Sequence, residues 1–142
     1  MRLFSHEKLT ISVEETQGLK YIKEEWSGIL TSTIFHKLIY QSLDIYKKEL
    51  KALKGKNDHF LLLADVSKLE LISSKDIDWL TDEINPKYEE LGFTKQAVIV
   101  PKSQMAQTTV AEYEGQTGGF DTKMFTDELA AKRWFLSLKN EK

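Results

Sequence analysis

Residues 59–66 read HFLLLADV, an apolar run with no alternation. A strand that offers no polar face has to be covered on both sides, so this run predicts the centre of a parallel or mixed sheet with helices packed on it. Parallel neighbours cannot be joined by a tight turn. They need a crossover of a dozen or more residues, usually a helix.

The flanking sequence supplies such connections. Leu9, Ile11 and Val13 alternate with polar residues, the period of a half-buried strand. Gln17-Gly18 reads as a turn into a second strand over 21–26, with Ile22, Glu24 and Trp26 on one face and Tyr21, Lys23 and Glu25 on the other. Ser27-Gly28 is expected to end that strand. A long helix is expected over 32–53, its stripe formed by Phe35, Leu38, Ile39, Ser42, Ile45, Tyr46, Leu50 and Leu53. Lys47, Lys48, Lys51 and Lys54 crowd its C-terminal half, where cations complement the helix dipole, and Gly55 is its natural stop.

Beyond the central run, Ser73 or Ser74 caps a helix whose apolar stripe is Ile77, Leu80, Ile84, Tyr88 and Leu91. Asn85-Pro86 predicts a kink in it and Gly92 its end. Residues 96–100 form a short apolar strand stopped by Pro101, and 103–113 carry weaker helical spacing. The segment 114–122 contains Gly115, Gly118 and Gly119 and is expected to be a mobile loop able to act as a lid. A short strand over 123–125 and a last helix capped by Thr126 or Asp127 follow, with Ala130, Ala131, Trp134, Phe135 and Leu138 facing inward; 139–142 should fray. The order β-β-α-β-α-β-α-β-α makes residues 1–142 one α/β domain. Its single mixed sheet should have about five strands with helices packed on it.

Composition narrows the function classes. At 142 residues, 41% of them hydrophobic and 30% charged, the chain can bury a core without staples. It has no cysteine, which excludes a disulfide scaffold, a thiolate metal site and a cysteine nucleophile, and suits a reducing cytoplasm. A net charge of −2 lacks the basic excess of a nucleic-acid binder. The first residues carry no signal-peptide run, and no stretch approaches the roughly 18 apolar residues of a membrane span. Phosphate-binding glycine loops, the G-x-S-x-G elbow and the H-E-x-x-H helix are absent, so the reading is non-enzymatic, with no cofactor implied. His6, His36 and His59 have no ligand spacing, and no metal is expected.

Three places could carry a site. Ser73 and Ser74, with Lys75 adding positive charge, stand at a helix N-terminus able to hold an anion or a phosphate; the plain alternative is an N-cap. Asp65 ends the central run at the sheet edge where ligands usually sit in open α/β sheets; the plain alternative is a carboxylate bonded to its own turn. Trp79 lies off the stripe of its helix and, with Asp76 and Asp78, would form a partner or ligand surface.

The order of elements resembles that of STAS domains, and more closely of their SpoIIAA-like branch, which also resembles the Sec14 lipid-binding fold. The residues that carry the likeness lie within 9–138. They are Trp26-Ser27-Gly28, the strand ending in Asp65, Trp79, the Ala97-Val98-Ile99-Val100 strand, and Phe125-Thr126-Asp127 with Ala131 and Trp134 behind it. In anti-sigma-factor antagonists of this class a serine at the start of the helix after the central strand is a phosphorylation switch within an Asp-Ser-Ser-Gly-like turn. Here Ser73 and Ser74 match, while Ile72 and Lys75 replace the acid and the glycine. The resemblance implies a regulatory module whose partner is another protein. Its Sec14 side implies, as the alternative, a small apolar ligand or a lipid. Sheet edges and off-stripe aromatics leave a homodimer open.

Overall fold

The computed structural model describes residues 1–53, 60–116 and 121–138. Its elements are β1 (Arg2–Ser5), β2 (Leu9–Thr16), β3 (Leu19–Ile29), α1 (Ser32–Leu53), β4 (Phe60–Leu71), α2 (Ser74–Trp79), a π-helical turn (Leu80–Ile84), α3 (Asn85–Leu91), β5 (Phe93–Ile99), α4 (Gln104–Gln116), β6 (Asp121–Phe125) and α5 (Glu128–Leu138). One mixed sheet has the spatial order β1-β2-β3-β4-β5-β6, which is also the chain order. The pairs β1–β2 and β2–β3 are antiparallel, and β3, β4, β5 and β6 run parallel.

The sheet thus has six strands, not about five. The extra one is β1, whose Arg2-Leu3-Phe4-Ser5 is too short to show a period. It is a strand because it pairs with β2, with Val13 N also donating to Met1 O at 2.9 Å. The hairpin forms as expected, with Gln17 and Gly18 both at positive φ, as a tight right-twisting turn requires. Ser27-Gly28 does not end β3. The strand runs on to Ile29 through two register shifts, with Gly28 at φ +79. The left-handed backbone at this irregular point of the strand, which a residue with a Cβ rarely adopts, accounts for this glycine rather than a stop.

Helix α1 has the predicted bounds, and its buried stripe adds Leu43. The kink expected at Asn85-Pro86 is realised as the π-helical turn just before it, with Pro86 in the first turn of α3. β4 and β6 are longer than the apolar runs that announced them. Of the expected loop over 114–122, residues 114–116 end α4 and Asp121 and Thr122 open β6; 117–120 lie outside the described residues, as do Gly55 and the tail 139–142.

The chain order of the sheet divides the protein into two unlike layers. Parallel crossovers are right-handed, so strands laid down in one direction put every crossover helix on the same side. α1, α2, α3 and α4 therefore share one face, over Ile22, Trp26, Leu62, Ala64 and Val98. Only α5, after the last strand, reaches the other face, where it packs on Leu19, Tyr21, Leu61, Leu63, Ala97 and Ile99. Asp127 caps α5 through its Oδ1, which accepts from Ala130 N at 2.8 Å. Among the described residues no helix is long and apolar enough to cross a membrane.

Candidate functional site

The first turn of α2 is the best-organised polar feature of the surface. Ser73 is its N-cap, with Oγ accepting from Asp76 N at 3.1 Å. Ser74 Oγ donates to Glu112 Oε1 on α4 at 3.4 Å, and Lys75 is exposed. Asp76 turns inward and is 2% exposed. Ser32 Oγ, at the start of α1, donates to its Oδ2 at 3.0 Å, and His36 Nε2 lies 3.0 Å from Oδ1. A neutral His36 that donates Nε2–H keeps Nδ1 as an acceptor. The His36 ring stacks on Trp79 with centroids 3.6 Å apart and planes at 11°, and Tyr40 meets Trp79 edge-on at 5.9 Å. Trp79 is half-buried and Tyr40 is 52% exposed.

Asp76 is therefore not part of an exposed surface. Its carboxylate is spent on holding α1 to α2, because the first turn of α2 faces the first turns of α1. Asp65 stands apart as well. β4 continues past it to Leu71, so it does not end the strand. Side chains alternate along β4, and Asp65 follows Leu61 and Leu63 onto the α5 side, opposite the layer that holds Trp79. Its Oδ1 accepts from Ser67 N at 3.0 Å within the β4 bulge, the local use of a carboxylate weighed against a binding role above. Of the proposed residues, only Trp79, Asp76 and the Ser73–Lys75 turn come together. His36, set aside in the sequence for want of metal-ligand spacing, joins them. The one signal for it was its place beside the stripe of α1.

A second polar cluster lies in the core. Glu24 is 4% exposed on the face of β3 between Ile22 and Trp26. It accepts from Trp26 Nε1 at 2.9 Å and from the Tyr46 hydroxyl. Burial pushes its carboxyl above the usual range, and these hydrogen bonds offset that only in part. Burial likewise pushes the hydroxyls of Tyr46, Tyr88 and Tyr113 up, so all remain neutral donors. Tyr113 Oη lies 3.0 Å from Asn85 Oδ1 and 2.8 Å from Gln96 Oε1, and Gln96 Oε1 also accepts from Thr122. One hydroxyl proton cannot serve both amides. Turning the Asn85 amide gives its otherwise unpaired Nδ2 the Tyr113 oxygen as acceptor.

Glu24, Gln96, Tyr88 and Tyr113 stand on the wall of a cavity of about 60 Å³ between the sheet and α1, α2 and α4. The rest of its lining is apolar, including Trp26, Leu30, Phe35, Ile72, Ile77 and Val110. Pockets for drug-sized ligands run to about 300–1,000 Å³, so the lipid-binding alternative gains no support from it.

On the α5 side the polar groups stay at the rim. Lys23 Nζ bonds Glu128 Oε1 at 2.7 Å and Glu25 Oε1 at 3.0 Å, and the Tyr21 hydroxyl donates to Glu128 Oε2 at 3.2 Å. Burial would raise the Glu128 carboxyl, but the Lys23 hydrogen bond and charge outweigh it and hold it below the usual range. Among the described residues no group of three or more His, Asp or Glu converges where a metal could be held.

This arrangement is a SpoIIAA-like fold. A protein of the DUF3478 family with a SpoIIAA-like fold, from Shewanella loihica, superposes with a TM-score of 0.60 at 20% identity, over 93% of this chain and 98% of that one. The anti-sigma factor antagonist SpoIIAA in its unphosphorylated form superposes with a TM-score of 0.51 at 9% identity, over 88% of this chain and 96% of that one. No family model and no curated protein matches the sequence.

Proposed function

We propose that this chain is a non-enzymatic regulatory module that works by binding another protein through the α1–α2 face. The observation that carries the reading is the Trp79–His36 stack, with Tyr40 exposed beside it and Asp76 locking it in place. Pre-ordered aromatic side chains with a polar surround are what protein-binding hot spots are made of, because little rotamer entropy is lost on docking. Lys75 and Asp78 are exposed at the edge of this patch. A solved protein of the same fold is an anti-sigma factor antagonist, which supports a role carried out by contact. The cysteine-free composition suits action in a reducing cytoplasm.

The test uses the full chain as bait in native lysate, followed by purification of whatever protein is retained and a direct titration. Trp79→Ala should weaken that binding by about 2 kcal/mol or more. Ser74→Glu should weaken it too, since a second carboxylate beside Glu112 pushes α2 from α4. A partner retained equally by wild type, Trp79→Ala and Tyr40→Ala would place the contact elsewhere. Self-association of the purified chain lost in the same variants would make the partner a second copy.

A further inference from the structure

Glu24 is an acid where the strand pattern calls for an apolar residue. On the core face of β3 it sits between Ile22 and Trp26, and no ion pair to it forms among the described residues. A buried carboxyl without a cation is costly, and an apolar residue would fill the position at lower cost. Breaks of this kind in an otherwise consistent pattern tend to mark functional positions. Trp26 and Tyr46 occupy two of the roughly four acceptor positions that a carboxylate offers.

The space beside it has a local origin. In register across the sheet, Glu24 pairs with Ala64 and Ala64 with Val98. Ala64 is the smallest side chain on this part of the floor, and α1, α2 and α4 close over it through Phe35, Ile77 and Val110. The resulting void of about 60 Å³ lies between the ~30 Å³ share of one water and the ~150 Å³ cavity that holds benzene. It is apolar except where Glu24, Gln96, Tyr88 and Tyr113 meet it.

We propose that this cavity is a binding site for a small primary amine with a short apolar chain, anchored on the Glu24 carboxyl. At the ~25 Å³ per carbon of the benzene cavity, the void takes about two or three heavy atoms, the amine nitrogen included. The amine takes the position of the missing cation. The bound pair is an ammonium and a carboxylate: the proton comes from Glu24 when the neutral amine enters, and is already on the amine when Glu24 is ionised, so charge is conserved either way. The ammonium then donates into acceptor positions that Trp26 and Tyr46 leave open. Alcohols of the same size offer one weaker donor. Carboxylates offer a second acid to a site that already has one.

The full chain, labelled with nitrogen-15, is titrated with ethylamine, ethanol and acetate. The Trp26 indole N–H, which donates to Glu24, is the reporter. Ethylamine should shift this resonance saturably, and ethanol should bind about tenfold or more weaker. Acetate should not bind. Glu24→Gln keeps the shape, and its amide oxygen can still accept from Trp26, but its amide nitrogen cannot accept from Tyr46 and no ion pair can form, so it should lose the ethylamine shift. Ala64→Val fills the void and should lose it as well, while melting no earlier than wild type. Where Glu24→Gln fails to fold, Ala64→Val decides. An unsaturable shift, meaning a cavity that holds water only, overturns the proposal. So does equal affinity for ethylamine in either folded variant.

Discussion

The two faces of the sheet are built by different rules. Under α5 the core is apolar, with Ala97, Ala131 and Phe135 wholly buried and, among the described residues, the Lys23, Glu25 and Glu128 charges at the rim. Under α1–α4 the core is larger, holds Glu24, Ser42, Asp76, Asn85 and Gln96 among its buried groups, and keeps a void. The difference follows from topology. A single helix laid on parallel strands can close its contact with small and apolar side chains. A layer of several crossover helices must also join helix to helix, and polar bridges such as Ser32–Asp76–His36 and Tyr113–Gln96 do this. The α1–α4 layer therefore keeps slack in its packing and the α5 layer does not.

Truncation is the strongest way to break that contrast. Phe135→Ala should cost about 3–5 kcal/mol by urea unfolding, since its ring contacts Tyr21 and Trp134 and has no loose neighbour to collapse into its place. A loss below about 1 kcal/mol would mean that the α5 face is not closed. Adding volume separates the faces more sharply. Ala97→Val should destabilise by about 1–3 kcal/mol by overpacking the closed face. Ala64→Val, which enlarges a residue on the void, should be neutral or stabilising by about 1 kcal/mol. Equal effects at the two alanines would erase the distinction.

The pH dependence should have opposite signs on the two faces. Glu128 is held below its ordinary value of 4.5, so its contribution is present above that value and lost as pH falls through the lower folded value. Glu24 is raised above 4.5, so the folded chain keeps a proton that the unfolded chain has released, and stability falls as pH rises from 4.5 toward the folded value. Thermal melts of Glu24→Gln across this range should lack that fall, and melts of Glu128→Gln should lack the acid-side loss. The smallest expected effect is at the surface. Ser73→Ala should cost about 1 kcal/mol through the lost cap and leave the melting of both faces otherwise alike, as read by chemical denaturation.

Much of this molecule was legible in consecutive residues. The alternation of Leu9, Ile11 and Val13, the unbroken run into Asp65, the stripe of α1 and the serine before α2 announced the strands, the central position of β4, the helix and its cap. β1 was not legible, because four residues carry no period and pairing alone makes them a strand. The bulge at Gly28 read as an end, because a glycine signals a special backbone without saying which one.

The site was legible only in part. Ser73, Ser74, Lys75, Asp76 and Trp79 were marked as places on the α2 turn, but Asp65, marked as a further candidate, lies through the sheet from them. The decisive contacts, Asp76 with Ser32 and His36 and Trp79 with Tyr40, join residues about forty positions apart along the chain. So does the empty space over Ala64, which depends on how three crossover helices meet. The sequence by itself determined the elements and the side of each that is apolar, because periodicity is a property of neighbours along the chain. Only the tertiary structure decided that Asp76 is buried, that Glu24 faces a void and that the two faces differ. Those facts depend on the handedness of the crossovers and on which helices they bring together.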